Sequence, residues 1–200
     1  MAITVEPLHG TALSAALPAL AQLRITVFRD WPYLYDGTLD YEQGYLAKFG
    51  CAKDAVIVAA RDGTDIIGVA TASPLPEHTA RFCPLFAAHG FDPARIFYFG
   101  ESVLLASYRG RGLGHAFFDA REAHAKAARV KGKTYTHTAF CGVVRPANHP
   151  ALPASYAPLD PFWTKRGYRK QVGMLGSYSW LDRCDTTETE KPMQFWTKPL

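Results

Sequence analysis

Three glycines fall within five positions, Gly110, Gly112 and Gly114, between a run built like a strand and a run built like a helix. The upstream run, residues 96–105, is dense in aromatic and aliphatic side chains and reads as a strand. Downstream, Leu113, Phe117, Ala120, His124 and Ala127 recur at steps of three and four and make one helical face, while Arg121, Glu122, Lys126 and Arg129 fall elsewhere. A helix therefore begins among the glycines. Glycine lets the backbone adopt positive φ and approach a ligand closely. The unpaired N–H groups of a first helical turn point outward with the positive end of the dipole. The stretch Arg109, Gly110, Arg111, Gly112, Leu113, Gly114, His115 is thus expected to hold a phosphate or pyrophosphate.

Two familiar phosphate loops do not fit. GxxxxGK[ST] is missing, and the G-x-G-x-x-G of dinucleotide folds does not match Gly110, Gly112 and Gly114. What fits is Arg-x-x-Gly-x-Gly at Arg109, Gly112 and Gly114, and on it the sequence resembles the GNAT superfamily of acyl-CoA-dependent N-acyltransferases. Further marks follow in order. Residues 64–71 after the Arg61-Asp62-Gly63 turn resemble the family's central hairpin. Asn148 follows the next strand, where the family often has an asparagine. Residues 162–168, from Phe162 to Tyr168, resemble its aromatic, basic, Gly-Phe signature. Together they cover about residues 55–170.

The resemblance implies an α/β (α+β) fold: a mixed, mostly antiparallel sheet flanked by helices, with acetyl-CoA held where two neighbouring strands splay. In that arrangement the backbone of Ser102, Val103 and Leu104 pairs with the pantetheine amides by strand addition. Residues 109–115 hold the pyrophosphate, and Asn148 and Trp163 complete the cofactor contacts. Arg109 and Arg111 have an alternative as surface ion-pair partners.

Composition agrees with one domain over residues 1–200: 48% of the chain is hydrophobic and 13% aromatic, enough for a sizeable core. No run of eighteen or so apolar residues suggests a membrane span, and the N-terminus lacks a basic segment followed by an apolar one. The four cysteines, at 51, 83, 141 and 184, have no metal-type spacing and suit free thiols in a reducing, cytoplasmic setting. The histidines form no ligand cluster, so no metal is expected. A net charge of +4 is explained by a polyanionic cofactor and solvated helix ends, with no need for nucleic acid or membrane as partner. A homodimer is compatible with all of this.

Pattern reading along the chain alternates strands and helices. Expected are a strand at 3–6, helices at 11–28 and 41–49, and a hairpin of 55–61 with 65–73 around Asp62-Gly63. An irregular helix is expected at 76–89, a strand at 135–143, a proline-rich excursion at 145–161 and a short helix at 162–165. Residues 178–181 and 194–198 are expected to pair, with 186–191 as their connecting loop.

Acetyl transfer to an amine needs a proton acceptor, a polarised thioester carbonyl and a proton for the thiolate. Glu101 is the only acid on the 96–105 run and sits among apolar neighbours, where burial favours proton uptake and hence a role as base; an ion-paired edge glutamate is the alternative. Backbone N–H near Leu104 is the expected polariser. The family often carries a tyrosine where this chain has Trp163, whose indole is too weak an acid. The constrained Ser155-Tyr156 segment therefore offers Tyr156 as proton donor, or as a ring that anchors the loop. By family analogy the acceptor, a primary amine of a small molecule or peptide, enters between the first two helices, where Arg29, Trp31, Tyr33 and Tyr35, with Phe28 and Asp30, suit flat or apolar groups plus one charge of either sign. A noncatalytic acyl-CoA-binding sensor or interaction module is the competing reading.

Overall fold

A computed structural model describes every residue except Met1, Cys51, Lys131 and Cys184, with backbone alone at 48–50. Its elements, in chain order, are β1 (Ile3–Leu8), α1 (Gly10–Phe28), α2 (Leu39–Gly50), β2 (Val56–Asp62), β3 (Asp65–Pro74), α3 (Leu75–Thr79), α4 (Cys83–Ala88), β4 (Ile96–Leu104), α5 (Leu113–Ala127), a small hairpin of β5 (Arg129–Val130) and β6 (Lys133–Thr134), β7 (His137–Val143), α6 (Asp160–Lys165), β8 (Arg169–Trp180) and β9 (Thr189–Pro199). Seven strands form one sheet in the order β1-β2-β3-β4-β7-β9-β8, antiparallel at every step except β4 to β7.

Alternation along the strands divides the core between the two faces of the sheet. Val56, Val58, Phe97 and Phe99 turn toward α5 and meet Phe117 and Phe118, while Ile57, Ala59 and Val69 turn toward α1 and meet Leu20 and Leu46. Farther along that second face, α3 and α4 supply Leu75 and Phe86 against Tyr98 and Phe195. The Asp62-Gly63 turn closes the β2–β3 hairpin as expected, with Gly63 at φ +60° and Asp62 opposite Asp65. Helix α1, at mean hydropathy 1.3, is long and apolar enough to span a membrane, against the expectation from sequence. Its buried Leu20, Ala21 and Leu23 join the core.

Two element boundaries differ from expectation for local reasons. Residues 76–89 divide into α3 and α4 at Thr79, whose φ of −153° leaves the helical range, and a 3-10 turn over Ala80–Phe82 leads to α4, with Pro84 in its first turn where no N–H is needed. The last strand pair is longer and shifted: Tyr178 lies opposite Lys191 and Gln194 opposite Leu175, so the expected 178–181 with 194–198 pairing does not occur, and the connecting loop ends before Thr189. β8 is an edge strand, so it tolerates the exposed, polar start of its sequence, and a register shift around Gly173 (φ +82°) hides its alternation.

β4 and β7 pair only at Ile96 with His137, Phe97 with Thr138 and Tyr98 with Ala139. From there β4 continues through Leu104 and β7 through Val143 with no register between them.

Candidate active site

A cavity of about 1280 Å³ opens at that gap, walled by β4 from Phe99 and by β7 from Phe140. The ladder on the other edge of β4 decides what faces it. Leu105 N–H donates to the Ile67 carbonyl at 3.0 Å and Val103 lies opposite Val69, so these residues direct their backbone groups to β3. Alternation then turns the amides of Ser102 and Leu104 to the β7 side. The Val103 side chain is fully buried against α1 and does not line the cavity.

At one end of the cavity lies the glycine loop. Gly110 and Gly112 take φ of +77° and +81°, and a β-carbon at either position would meet nothing within 4 Å, so the loop surface is open. The first bond of α5 is His115 N–H to the Gly112 carbonyl at 2.9 Å, leaving the amides just before it directed outward. Arg109, Gly114 and His115 line the cavity, whereas Arg111 stacks over the Tyr108 ring and donates to the Ser107 carbonyl at 3.1 Å, outside it. Trp163 covers β7 where Gly142 leaves room: a β-carbon at Gly142 would stand 3.0 Å from the indole. Open positive-φ glycines, outward amides and Arg109 fit the pyrophosphate of acetyl-CoA, and the two β4 amides fit its pantetheine arm.

Glu101 lines the middle of the cavity, but its surroundings correct the sequence expectation of an apolar setting. Its Oε1 is 2.6 Å from Arg24 Nη1, and Tyr45 Oη donates to its Oε2 at 3.2 Å. Arg24 also pairs with Glu42, and all three charged side chains are at least nine-tenths buried. Burial opposes the Arg24 charge, but Glu101, Tyr45 and Glu42 outweigh it and raise its pKa. Arg121 is a second correction: it and Glu122, expected off the apolar face of α5, are buried. A register shift between Ala70 and Ala72 bulges β4 at this level, and Arg121 takes up the carbonyls around it, donating to Glu101 O at 3.0 Å and Thr71 O at 3.3 Å, with Ser102 Oγ at 2.8 Å. The bulge needs Gly100, where a β-carbon would fall 2.6 Å from Thr71 Oγ1 and 2.7 Å from His78 Cε1.

His78 carries a pH prediction. Burial lowers its pKa to about 4, with Glu101 opposing and Arg24 assisting. An unfolded histidine titrates near 6.5, so between these values the unfolded chain binds the extra proton and stability falls as the pH drops. Between pH 7 and pH 4.5 His78 should contribute a loss on the order of 2–3 kcal/mol in urea denaturation, by which the loss shrinks in His78→Gln; His137, also lowered by burial, contributes to the remainder in both proteins. A loss of the same size in the variant assigns it to other groups.

At the other end stand residues expected for the acceptor. Trp31, Tyr33 and Tyr156 line the cavity, the Trp31 and Tyr156 rings meeting edge-on at 5.8 Å. Arg29 does not: it is half-exposed and pairs with Asp36 at 2.5 Å. Tyr35 forms a β-bridge with Asp182, its phenol pK raised by burial and then by Glu42, and also lies outside the lining. Asn148 is exposed on a turn and does not reach the cavity. Sequence reasoning missed Arg145, whose guanidinium binds Asp182 at 2.7 and 2.9 Å and the carbonyls of Pro32 and Tyr33. Its place in the proline-rich excursion gave no periodic signal. Cys141, on the cavity wall, bonds Tyr98 Oη at 3.0 Å, and burial pushes its thiol up to about 12 against that bond. Cys83 is also a free thiol, and the free thiols expected at Cys51 and Cys184 lie outside the described residues. Among the described residues no three His, Cys, Asp or Glu side chains converge as for a metal ion.

Residues 20–168 match the acetyltransferase (GNAT) family. Similar folds include Arabidopsis thaliana NAA60 in complex with acetyl-CoA (TM-score 0.62, 14% identity, 100% of this chain and 99% of that one). Others are a Brucella melitensis ribosomal-protein-alanine N-acetyltransferase (0.59, 13%, 100% of both) and an acetyltransferase from Thermus thermophilus (0.58, 12%, 100% and 98%). No curated protein matches the sequence.

Proposed function

Because the chain belongs to the acetyltransferase (GNAT) family, we propose that it transfers the acetyl group of acetyl-CoA directly to a primary amine in the gap between β4 and β7. The observation that carries this is the alignment along one cavity of the glycine loop, the inward amides of β4 and the Glu101 carboxylate. Acetyl-CoA supplies an activated acyl thioester. The loop amides from Gly110 to Gly114, with Arg109, hold its pyrophosphate, and Ser102 and Leu104 amides align the pantetheine and polarise the carbonyl. Trp163 packs on the same arm. Arg111, Asn148, Arg29 and Tyr35, which do not line the cavity, drop out of the proposed contacts.

Glu101 takes the ammonium proton, directly or through water, with Arg24 and Tyr45 fixing its carboxylate. Tyr156, whose phenol is kept protonated by burial and by Asp160, gives a proton to the departing thiolate. Direct transfer is favoured over a covalent enzyme intermediate because Cys141, the cysteine on the wall, is held as the thiol. The proposed site belongs to one domain over residues 1–200, acting in the cytoplasm.

Wild-type protein should release free thiol from acetyl-CoA when amines are added. Gly112→Val, which places a branched side chain at φ +81°, should weaken acetyl-CoA binding by calorimetry while the fold survives. Undiminished affinity in that variant overturns the loop assignment.

A further inference from the structure

At the acceptor end the walls of the cavity are bonded to one another. The α1–α2 loop is stitched to the β8–β9 turn: Asp36 N–H donates to the Leu181 carbonyl at 2.9 Å, Arg183 N–H to the Leu34 carbonyl at 2.7 Å, and Trp180 Nε1 to the Tyr33 carbonyl at 3.0 Å. Arg145 ties the proline-rich excursion to both, through Pro32, Tyr33 and Asp182, and Lys191 reinforces Asp182 at 3.4 Å. An extended peptide lying across these segments would need their edge groups, and those groups already bond one another. Each nitrogen of the Arg145 guanidinium is committed, so it does not offer a fork to a carboxylate.

What faces inward is flat and apolar. Phe28 packs on Tyr33 at 4.6 Å, Trp31 meets Tyr156 at 5.8 Å, and Pro153 and Val143 also line the cavity. Of the lining carboxylates, Glu101 is the one fixed on β4, Asp160 stands near Tyr156, and Asp30 is exposed, as is Arg183.

Resting on the transferase reading above, we propose that the acceptor is a small primary amine carried on an aromatic or comparably flat apolar body, seated against Trp31, Tyr33 and Tyr156 with its nitrogen toward Glu101, and not a polypeptide N-terminus. In the reaction one ammonium proton passes to Glu101, the freed nitrogen bonds the acetyl carbon and the carbon–sulfur bond breaks; Tyr156 protonates the departing thiolate to the thiol of coenzyme A, and the second proton lost by the nitrogen as the amide forms restores the Tyr156 phenol. Aromatic walls contribute by area and by ring contact with both the apolar body and the ammonium form that first binds.

The test compares 2-phenylethylamine, tryptamine, spermidine and an alanine-initiated hexapeptide as acceptors, reading thiol release and acetylated product by mass spectrometry, with amine binding read by calorimetry in the presence of coenzyme A. The aromatic amines should exceed the other two in kcat/KM by roughly tenfold or more. Trp31→Ala should raise the KM for 2-phenylethylamine by about tenfold with kcat and acetyl-CoA affinity little changed. Preference for the hexapeptide or spermidine, or an unchanged KM in Trp31→Ala, overturns the proposal and leaves the transferase reading standing. No thiol release with any acceptor overturns the transferase reading; aromatic amine binding in that case keeps the proposed pocket, and its absence overturns both.

Discussion

Glu101→Gln is expected to lower turnover by about 10²–10⁴-fold with acetyl-CoA affinity retained. The amide keeps the shape of the carboxylate and an oxygen for the Tyr45 hydroxyl, but it cannot take a proton from the acceptor. It also removes one of the two anions that face Arg24, so some stability is lost along with activity. The two effects separate cleanly if turnover is measured below the unfolding transition and normalised to folded protein. Saturation behaviour then decides: a base acting in the chemical step changes kcat, while a residue that only supports the wall changes KM or the melting curve. A near-normal kcat across the pH profile would return Glu101 to the alternative role of an ion-paired structural residue, one that its 2.6 Å contact with Arg24 also permits.

The glycine loop and the sheet were legible in the sequence because each depends on signals confined to neighbouring residues. Gly110, Gly112 and Gly114 announce a turn that needs positive φ, and Asp62-Gly63 announces a hairpin. The charged layer beneath the site was not legible, since it is assembled from α1, α2, β4 and α5 and its members look ordinary in their own segments. Arg24 follows Leu20 by four residues on the buried side of α1, which was a hint of its position but not of Glu42 and Glu101 as its partners. Arg121 had no hint at all: its burial comes from the bulge in β4, whose carbonyls need a donor, and a bulge leaves no periodic mark on α5. Glu101 shows the same limit from the other side. Its apolar neighbours in sequence alternate to both faces of the strand, so they do not describe what surrounds its carboxylate.

Arg24→Met is expected to destabilise the fold by about 3–5 kcal/mol, since a buried carboxylate whose partner is removed retains its desolvation penalty and gains nothing in return. Here two carboxylates are stranded at once, Glu42 with no exposed surface and Glu101 with 7% of its side chain exposed. Methionine matches the length of the arginine stem but removes the guanidinium that lies 5.2 and 4.5 Å from the Phe28 and Tyr45 rings, so the loss combines the ion pairs with that ring contact, and the comparison with Glu42→Gln isolates the charge. Urea denaturation of Arg24→Met, Glu42→Gln and the double variant gives the coupling directly. If the pair carries the effect, the double variant recovers much of the stability lost in Arg24→Met, because one stranded anion has become neutral. Additive losses in the three variants would instead show that Arg24 and Glu42 act independently. Catalysis then reads the other half of the cluster: with Glu42 neutralised and Arg24 intact, Arg24 still holds Glu101, so kcat in Glu42→Gln should stay close to wild type while its melting curve shifts.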